Sequence, residues 1–218
     1  YFPTVTETFI YTEITELINA GIEIEIIALS SRDDGKLQDN IPKCPIHYIP
    51  KNRIKRLFPA NTHGEKWLLQ HQRHKDVVRL SWLRKFVTKN DHLHIHFAGE
   101  AAEIAYALQK DIGVSYSITT HAVDIFCPRR AWKQVLQAAN TVITVSNYNQ
   151  RYLQQHSISS TVVYCGINEN KWPALPYPTD QLKALFIGRD VAKKGLDVLL
   201  EAFEQINHPH QLRVVSER

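Results

Sequence analysis

A loop near the end of the chain combines glycine with positive charge, a combination suited to binding an anion. An apolar run typical of a buried strand, residues 184–187, precedes this loop, and residues 196–206 follow with the apolar spacing of a helix. A helix N-terminus offers free N–H groups and the positive end of its dipole, so the loop could hold a phosphate or diphosphate. The spacing is neither that of a Walker loop nor GxGxxG, so a solvated basic turn is the alternative. The loop residues concerned are Gly188, Arg189, Lys193, Lys194 and Gly195.

A second candidate lies where the segment TTHAVDIF follows a strand predicted over residues 114–119. In a doubly wound sheet, ligands bind beyond the carboxyl ends of the strands. His121 and Asp124 therefore lie where chemistry is expected. A lone histidine can equally be structural, and position alone does not separate the two interpretations.

Three histidines alternate in the segment DHLHIHFA, residues 91–98. On a strand, His92, His94 and His96 would share one face, and an HxH pair on a strand can belong to a zinc site. No carboxylate or cysteine partner is evident nearby in the sequence, and a buried parallel strand can hold neutral, hydrogen-bonded histidines. We therefore expect no metal.

The elements that must position these residues alternate between helix and strand. Thr4 and Glu7 have capping-box spacing before a predicted helix, and Gly21 is placed to end it. Ser146 is a good N-cap for a later helix. This alternation predicts an α/β fold, with a Rossmann-like parallel sheet and flanking helices. Besides 91–98 and 114–119, the sequence predicts strands at residues 22–29, 141–145, 161–164, 184–187 and 211–215.

Composition is that of an ordinary globular protein. The chain has 218 residues, 44% of them hydrophobic and 22% charged, and no apolar run approaches the length of a membrane-spanning helix. Its three cysteines are odd in number and lack CxxC spacing, which fits a reducing compartment better than a disulfide scaffold.

Residues 51–89 are strongly basic, with eleven Lys and Arg against two acids. Apolar residues are interspersed in patterns compatible with helices, so the segment could be a basic amphipathic surface for anionic lipid. Nucleic acid would be the competing partner, but no nucleic-acid-binding module is recognisable and we expect none. A third interpretation places the apolar residues in the core and leaves the cations solvated.

Several segments resemble family 4 glycosyltransferases, which are retaining enzymes of the GT-B fold. GRDVAKKGLDVLLEAF is similar to the segment that opens the family's C-terminal domain, and YFPTVTETFI resembles the FP..SETFI loop and helix of its exopolysaccharide and colanic-acid-type members. The segments HIHFAGEAAEIAYAL, SITTHAVDIF and TVITVSNY are similar to further strand and loop motifs of the family. CGIN resembles the family's NGID turn but departs from it at Cys165 and Asn168.

Catalytic roles follow from this resemblance. It implies that Arg189 and Lys194 bind the diphosphate of a nucleotide-sugar donor, and that His121 lies against the donor sugar. It also places Thr6 and Glu7 near the acceptor, although Glu7 could be a helix cap alone.

The loops around these residues complete the predicted donor and acceptor sites. We assign Asp124, Gly188 and Gly195 to them. No metal and no cofactor are implied, since the nucleotide sugar is a co-substrate.

The resemblance further implies a division of the chain. Residues 1–172 would be an acceptor-side domain without its first strand, residues 173–182 a proline-rich linker, and residues 183–218 the incomplete start of a donor-binding domain. We therefore expect a piece of a longer enzyme that is inactive alone.

The implied reaction moves a sugar from a nucleotide-diphosphate donor to a saccharide or lipid-linked acceptor with retention. Such an enzyme would be cytoplasmic, and peripheral on the inner face of the membrane if residues 51–89 bind lipid. A non-catalytic binding or interaction module derived from such an enzyme is the alternative.

Overall fold

The chain forms two compact units, Tyr1–Ile167 and Asn168–Arg218. A computed structural model describes residues 2–4, 7–30, 41–49, 61–167 and 182–216. Parallel strands alternate with helices in both units, so the predicted α/β fold is confirmed. The predicted linker, residues 173–182, lies outside the described residues except for its last position.

The first unit begins with helix α1, Thr8–Asn19, followed by a parallel pair of short strands, β1 (Ile26–Ala28) and β2 (Ile46–Tyr48). The strand predicted over residues 22–29 is thus shorter than expected. Gly21 follows the helix with a φ of 85°, a left-handed conformation that glycine adopts readily, and its N–H donates to Ile18 O. The predicted helix end is therefore confirmed.

The predicted capping box at the start of α1 is wrong. The helix begins at Thr8, with Glu7 in the N-cap position and no side-chain cap hydrogen bond. Thr4 is buried, and its Oγ1 has no hydrogen-bond partner in the described part of the chain. Because the helix starts one turn later than the sequence pattern indicated, Thr4 is too far upstream to cap it.

Four parallel strands form the main sheet in sequence order. They are β3 (His92–His96), β4 (Ser115–Thr120), β5 (Thr141–Thr144) and β6 (Thr161–Val162). Their connections contain α4 (Glu100–Ile112), α5 (Ala122–Phe126), α6 (Trp132–Ala138) and α7 (Asn147–Gln155). Since the strands are parallel, the loops after β3 and β4 meet at one edge of the sheet. The predicted N-cap at Ser146 is confirmed, because its Oγ accepts from Asn149 N–H at 3.1 Å.

The core of this unit lies between the sheet and its helices. Helix α4 packs against α2 (His63–Gln70) and α3 (His74–Leu83). Leu68, Leu80, Leu108 and Tyr116 are fully buried. These side chains are the apolar residues that recur at helical or strand spacing in the sequence, so burial of that pattern fixes the helices on the sheet.

Three arginines in the described part of the basic segment form ion pairs inside the unit. Arg73 and Arg79 pair with Asp76 and Glu100. Arg84 pairs with Glu65 at 2.8 Å and also with Asp111. The apolar residues Trp67, Leu80, Leu83 and Val87 belong to the core. The third interpretation of the basic segment therefore holds for these apolar residues but not for the three arginines, which are ion-paired rather than solvated. Four lysines of the segment, Lys66, Lys75, Lys85 and Lys89, are exposed.

The second unit is a strand–helix–strand element. Strand β7 (Leu182–Ile187) leads through a short 3₁₀ helix, Ala192–Lys194, into α8 (Leu196–Glu204), and β8 (His210–Val215) pairs with β7 in parallel. The predicted order of strand, basic loop, helix and strand is therefore confirmed. None of the helices in the described ranges is long and apolar enough to span a bilayer.

Candidate functional site

His121 follows β4 directly and is enclosed by rings from two other elements. Its ring centroid lies 4.7 Å from that of Phe9 on α1 and 4.5 Å from that of Phe97, just after β3. The ring of His96, the last residue of β3, stacks at 6.0 Å. The edge of the sheet predicted to carry chemistry thus holds an aromatic pocket around the His121 imidazole, with the His96 ring on one side.

Two backbone features hold His121 in this pocket. The buried carboxylate of Asp124 accepts from His121 N–H at 2.8 Å and from Ala98 N–H at 2.7 Å, which ties the loop after β4 to the loop after β3. Phe97 has a φ of 70°, which is rare for a bulky residue, and its N–H donates to Thr119 O at 2.9 Å. This strained turn directs the Phe97 ring toward His121.

The His121 imidazole is prepared to contact a neutral polar group. Burial lowers its pKa, and the negative charge of Glu13 offsets part of that effect, so the ring is neutral at neutral pH. Its Nε2 is buried and has no hydrogen-bond partner among the described residues. A neutral imidazole with one uncommitted nitrogen can donate to, or accept from, a hydroxyl group.

A carboxylate that sequence reasoning missed lies beside this pocket. Glu13 Oε1 is 3.3 Å from His94 Nε2, and Glu13 Oε2 is 3.7 Å from His96 Nε2. The expected face-sharing of the strand histidines is confirmed, because Leu93 and Ile95 turn to the other face. Glu13 thus supplies, from a distant part of the sequence, the carboxylate that is not evident in the sequence around the histidines.

The pKa values of Glu13 and His96 are both lowered, but for different reasons. Interaction with His94 lowers the pKa of Glu13 despite some burial, and the neighbouring His96 and His121 add to the effect. Burial lowers the pKa of His96 to about 4, although Glu13 opposes this. At neutral pH, Glu13 therefore carries a negative charge and His96 is neutral.

The sequence did contain a signal for Glu13. It lies four residues after Phe9, so both side chains project from one side of α1. Phe9 contacts His96 and His121, while Glu13 reaches His94 and His96. A carboxylate one turn beyond an aromatic residue on an otherwise apolar helix face could have been identified as a partner for the strand histidines.

The remaining first-unit candidates differ in how they can act. Thr6 lies outside the described residues, and Glu7 is half-buried beside the pocket-forming helix. Asp124 directs its oxygens at backbone N–H groups, which makes it a positioning residue for His121.

The basic loop of the second unit lies between β7 and α8, with its cations exposed. Gly195 adopts a left-handed φ of 67° and precedes the first turn of α8. Arg189, Lys193 and Lys194 are exposed. Gly188 N–H donates to Val215 O at 3.1 Å, which fixes the start of the loop to the neighbouring strand β8. The loop therefore presents three cations before a helix N-terminus.

Residues 6–171 match the family model described as Glycosyltransferase Family 4. This match covers most of the chain and spans the pocket, the strand histidines and every element of the main sheet. The chain belongs to glycosyltransferase family 4.

Two relatives within this glycosyltransferase group illustrate the similarity. The chain is 27% identical over 160 residues to the putative teichuronic acid biosynthesis glycosyltransferase TuaC of Bacillus subtilis, covering 65% of this chain and 41% of that protein. It is 24% identical over 129 residues to the uncharacterized glycosyltransferase MJ1178 of Methanocaldococcus jannaschii, covering 56% of this chain and 36% of that protein. The chain thus spans less than half the length of either family member.

Proposed function

We propose that the protein transfers a sugar from a nucleotide-diphosphate donor to a saccharide or lipid-linked acceptor with retention at the anomeric carbon. The observation that carries this proposal is the family match over residues 6–171, which includes the enclosed imidazole of His121. TuaC is named as a putative teichuronic acid biosynthesis glycosyltransferase, and this supports a polysaccharide as the product.

In this proposal the basic loop binds the donor diphosphate. Arg189 and Lys194 stabilise the negative charge that develops as the diphosphate leaves, and the N-terminus of α8 adds its dipole. Charge-assisted hydrogen bonds of this kind are individually worth roughly 1.5–3 kcal/mol. Gly188 and Gly195 shape the loop so that its backbone can approach the phosphates.

His121 has a separate role in positioning the donor sugar. Its neutral ring is held by Phe9, Phe97 and the Asp124 contact, and its Nε2 is the group that would meet a sugar hydroxyl. We place Thr6 and Glu7 on the acceptor side. The transfer step in this proposal uses no cofactor.

Attachment to an anionic membrane surface is a further part of the proposal. In the described part of residues 51–89, four exposed lysines support it, while the paired arginines do not contribute. Location on the cytoplasmic face would bring the enzyme to a lipid-linked acceptor.

The test is product formation by the full-length protein. It would be incubated with a panel of uridine, guanosine and adenosine diphosphate sugars and with saccharide and lipid-linked acceptors, and the anomeric configuration of the product would be read by NMR. Transfer with retention supports the proposal, and transfer with inversion contradicts its stereochemistry. Donor binding without turnover on any acceptor would favour a non-catalytic binding module instead.

A further inference from the structure

The cluster of Glu13, His94 and His96 is a second site beside the sugar-positioning pocket. It joins α1 to β3 through a carboxylate and two imidazoles, the same ligand types as the two-histidine, one-glutamate zinc sites of several hydrolases. Their candidate ligand atoms all lie within 4.8 Å of one another. Neither diphosphate binding nor sugar positioning uses these three groups.

Hydrogen bonds with neighbouring hydroxyl groups orient the histidine rings along β3. His92 Nδ1 lies 2.8 Å from Ser115 Oγ, and His92 Nε2 lies 2.8 Å from Ser117 Oγ.

The same chain of bonds continues to His94. His94 Nδ1 lies 2.7 Å from Ser117 Oγ, which orients the ring with its Nε2 toward Glu13. His94 Nε2 lies 3.3 Å from Glu13 Oε1. Thr119 Oγ1, at 3.1 Å, is the one described hydroxyl that contacts this nitrogen. A metal ion bound here would take the lone pairs of both atoms, with His94 Nε2 free of its proton.

His96 points to the same conclusion. Its side chain is 12% exposed, yet its Nε2 is 3.7 Å from Glu13 Oε2, which is too long for a hydrogen bond. Its Nδ1 is buried without a hydrogen-bond partner among the described residues. The gap between His96 Nε2 and the Glu13 carboxylate therefore leaves room for a metal ion bound by both groups.

We propose that Glu13, His94 and His96 bind a divalent transition-metal ion, with zinc the best match. Tetrahedral zinc with bonds near 2.0–2.1 Å separates its ligand atoms by about 3.3 Å. Glu13 Oε1 lies 3.3 Å from His94 Nε2 and Glu13 Oε2 lies 3.7 Å from His96 Nε2, so the carboxylate lies near that spacing from both rings. The Ser117 hydroxyl orients His94 as an outer-shell partner. Because the Glu13 and His94 side chains are 37% and 29% exposed, water can take the fourth position.

The bound ion would cross-link two elements. It would hold α1, which carries Phe9, against β3, whose last residue is His96. Both side chains contact His121, so the bound ion would stabilise one wall of the pocket without touching the donor sugar. The proposal rests on these side chains alone and stands whether or not the protein transfers sugar.

Metal binding can be measured directly on the full-length protein. The protein would be stripped with a chelator, dialysed and titrated with zinc chloride by calorimetry, and its zinc content measured by mass spectrometry. We expect one zinc per chain, and His96→Ala should weaken binding by more than about 100-fold, because outer-shell changes alone cost about 10- to 100-fold. Cobalt in place of zinc should show the visible absorption bands of a tetrahedral site.

The matched control is His92→Ala, on the same strand and face but bonded to Ser115 and Ser117 rather than to Glu13. It should retain one zinc per chain. Its zinc affinity should fall by no more than the about 10- to 100-fold typical of an outer-shell change. Should His96→Ala fail to fold, Glu13→Gln removes one ligand at a partly exposed position and should weaken zinc to the same extent. Wild-type protein that binds no zinc stoichiometrically, or equal loss in His92→Ala and the ligand variants, would overturn the site.

Discussion

At the scale of single residues, the neighbours of His121 hold it in place. Asp124 fixes the backbone on which it stands, and Phe9 and Phe97 enclose the ring. Burial raises the pKa of Asp124, while the N–H groups of Ala98 and His121 lower it again and stabilise the carboxylate. This buried carboxylate is therefore the residue through which a small change should disturb the pocket.

Asp124→Asn should lower both stability and activity. An amide retains one oxygen, so either the Ala98 or the His121 N–H would face an NH₂ group and lose its acceptor. Leaving one buried donor unsatisfied costs about 1–3 kcal/mol of unfolding free energy. Urea denaturation measures that loss, and the kcat of the folded fraction should fall as well. Normal kcat in a destabilised variant would show that the bond supports the fold without positioning His121.

At the scale of elements, the first unit depends on close packing between two of its helices. Helix α2 crosses α4 at Gly64, whose N–H donates to Asp111 Oδ1 at 2.6 Å. A Cβ at this position would clash with the backbone carbonyl of Ala107. Backbone cannot move aside as a flexible side chain can, so this contact requires glycine.

Gly64→Ala should therefore lower the free energy of unfolding by about 1–3 kcal/mol, the usual cost of overpacking. Gly166→Ala is the control, because an added Cβ there meets no atom within 4 Å. Thermal and urea denaturation of both variants decide the matter. Equal stability of the two would mean that α2 and α4 can separate without cost.

The basic loop offers a test of its own at the element scale. Lys193 and Lys194 are adjacent, exposed and equal in charge, but only Lys194 is assigned to the diphosphate. Lys194→Ala should weaken donor binding by about 10- to 150-fold, the equivalent of the roughly 1.5–3 kcal/mol of one charge-assisted hydrogen bond. Lys193→Ala should change it far less. Calorimetry with the nucleotide sugar measures donor binding by both variants. Equal losses of affinity would show that the loop attracts the donor non-specifically, through its overall charge.

At the scale of the whole molecule, the sequence predicted the elements well and the side-chain partnerships poorly. The order of strands and helices follows from local periodicity, and Ser146 and Gly21 cap helices where their types indicate. The Glu13 contact with His94 joins residues 81 positions apart, and the spacing of Glu13 after Phe9 on α1 was its one indication in the sequence. The pairing of Arg84 with Glu65 could not be predicted, because a count of charges does not distinguish exposed cations from ion-paired ones.

Membrane attachment is also a property of the whole molecule. Replacing the four exposed lysines of residues 61–89 by glutamine should weaken binding to vesicles containing phosphatidylserine, since each cation near an anionic surface contributes about 1 kcal/mol. Sedimentation with vesicles measures this, and raised salt should weaken wild-type binding. A control variant replaces four exposed lysines elsewhere: Lys43, Lys110, Lys133 and Lys183. Equal binding to neutral vesicles, or an equal effect of the control, would contradict an electrostatic surface in this segment.

The central claim, that His121 positions a donor sugar for transfer, is tested most directly by the kinetics of His121→Ala in the full-length protein. We expect kcat/KM for sugar transfer to fall by about 100-fold, the low end of the loss when one donor to a developing transition state is removed. His71→Ala is the matched control, because among the described residues the His71 ring bonds to Trp67 O and stacks on Trp67, away from the His121 pocket. It should leave kcat/KM of the folded protein unchanged. Turnover by His121→Ala equal to that of wild type would contradict the account, since it would make the enclosed imidazole a structural residue.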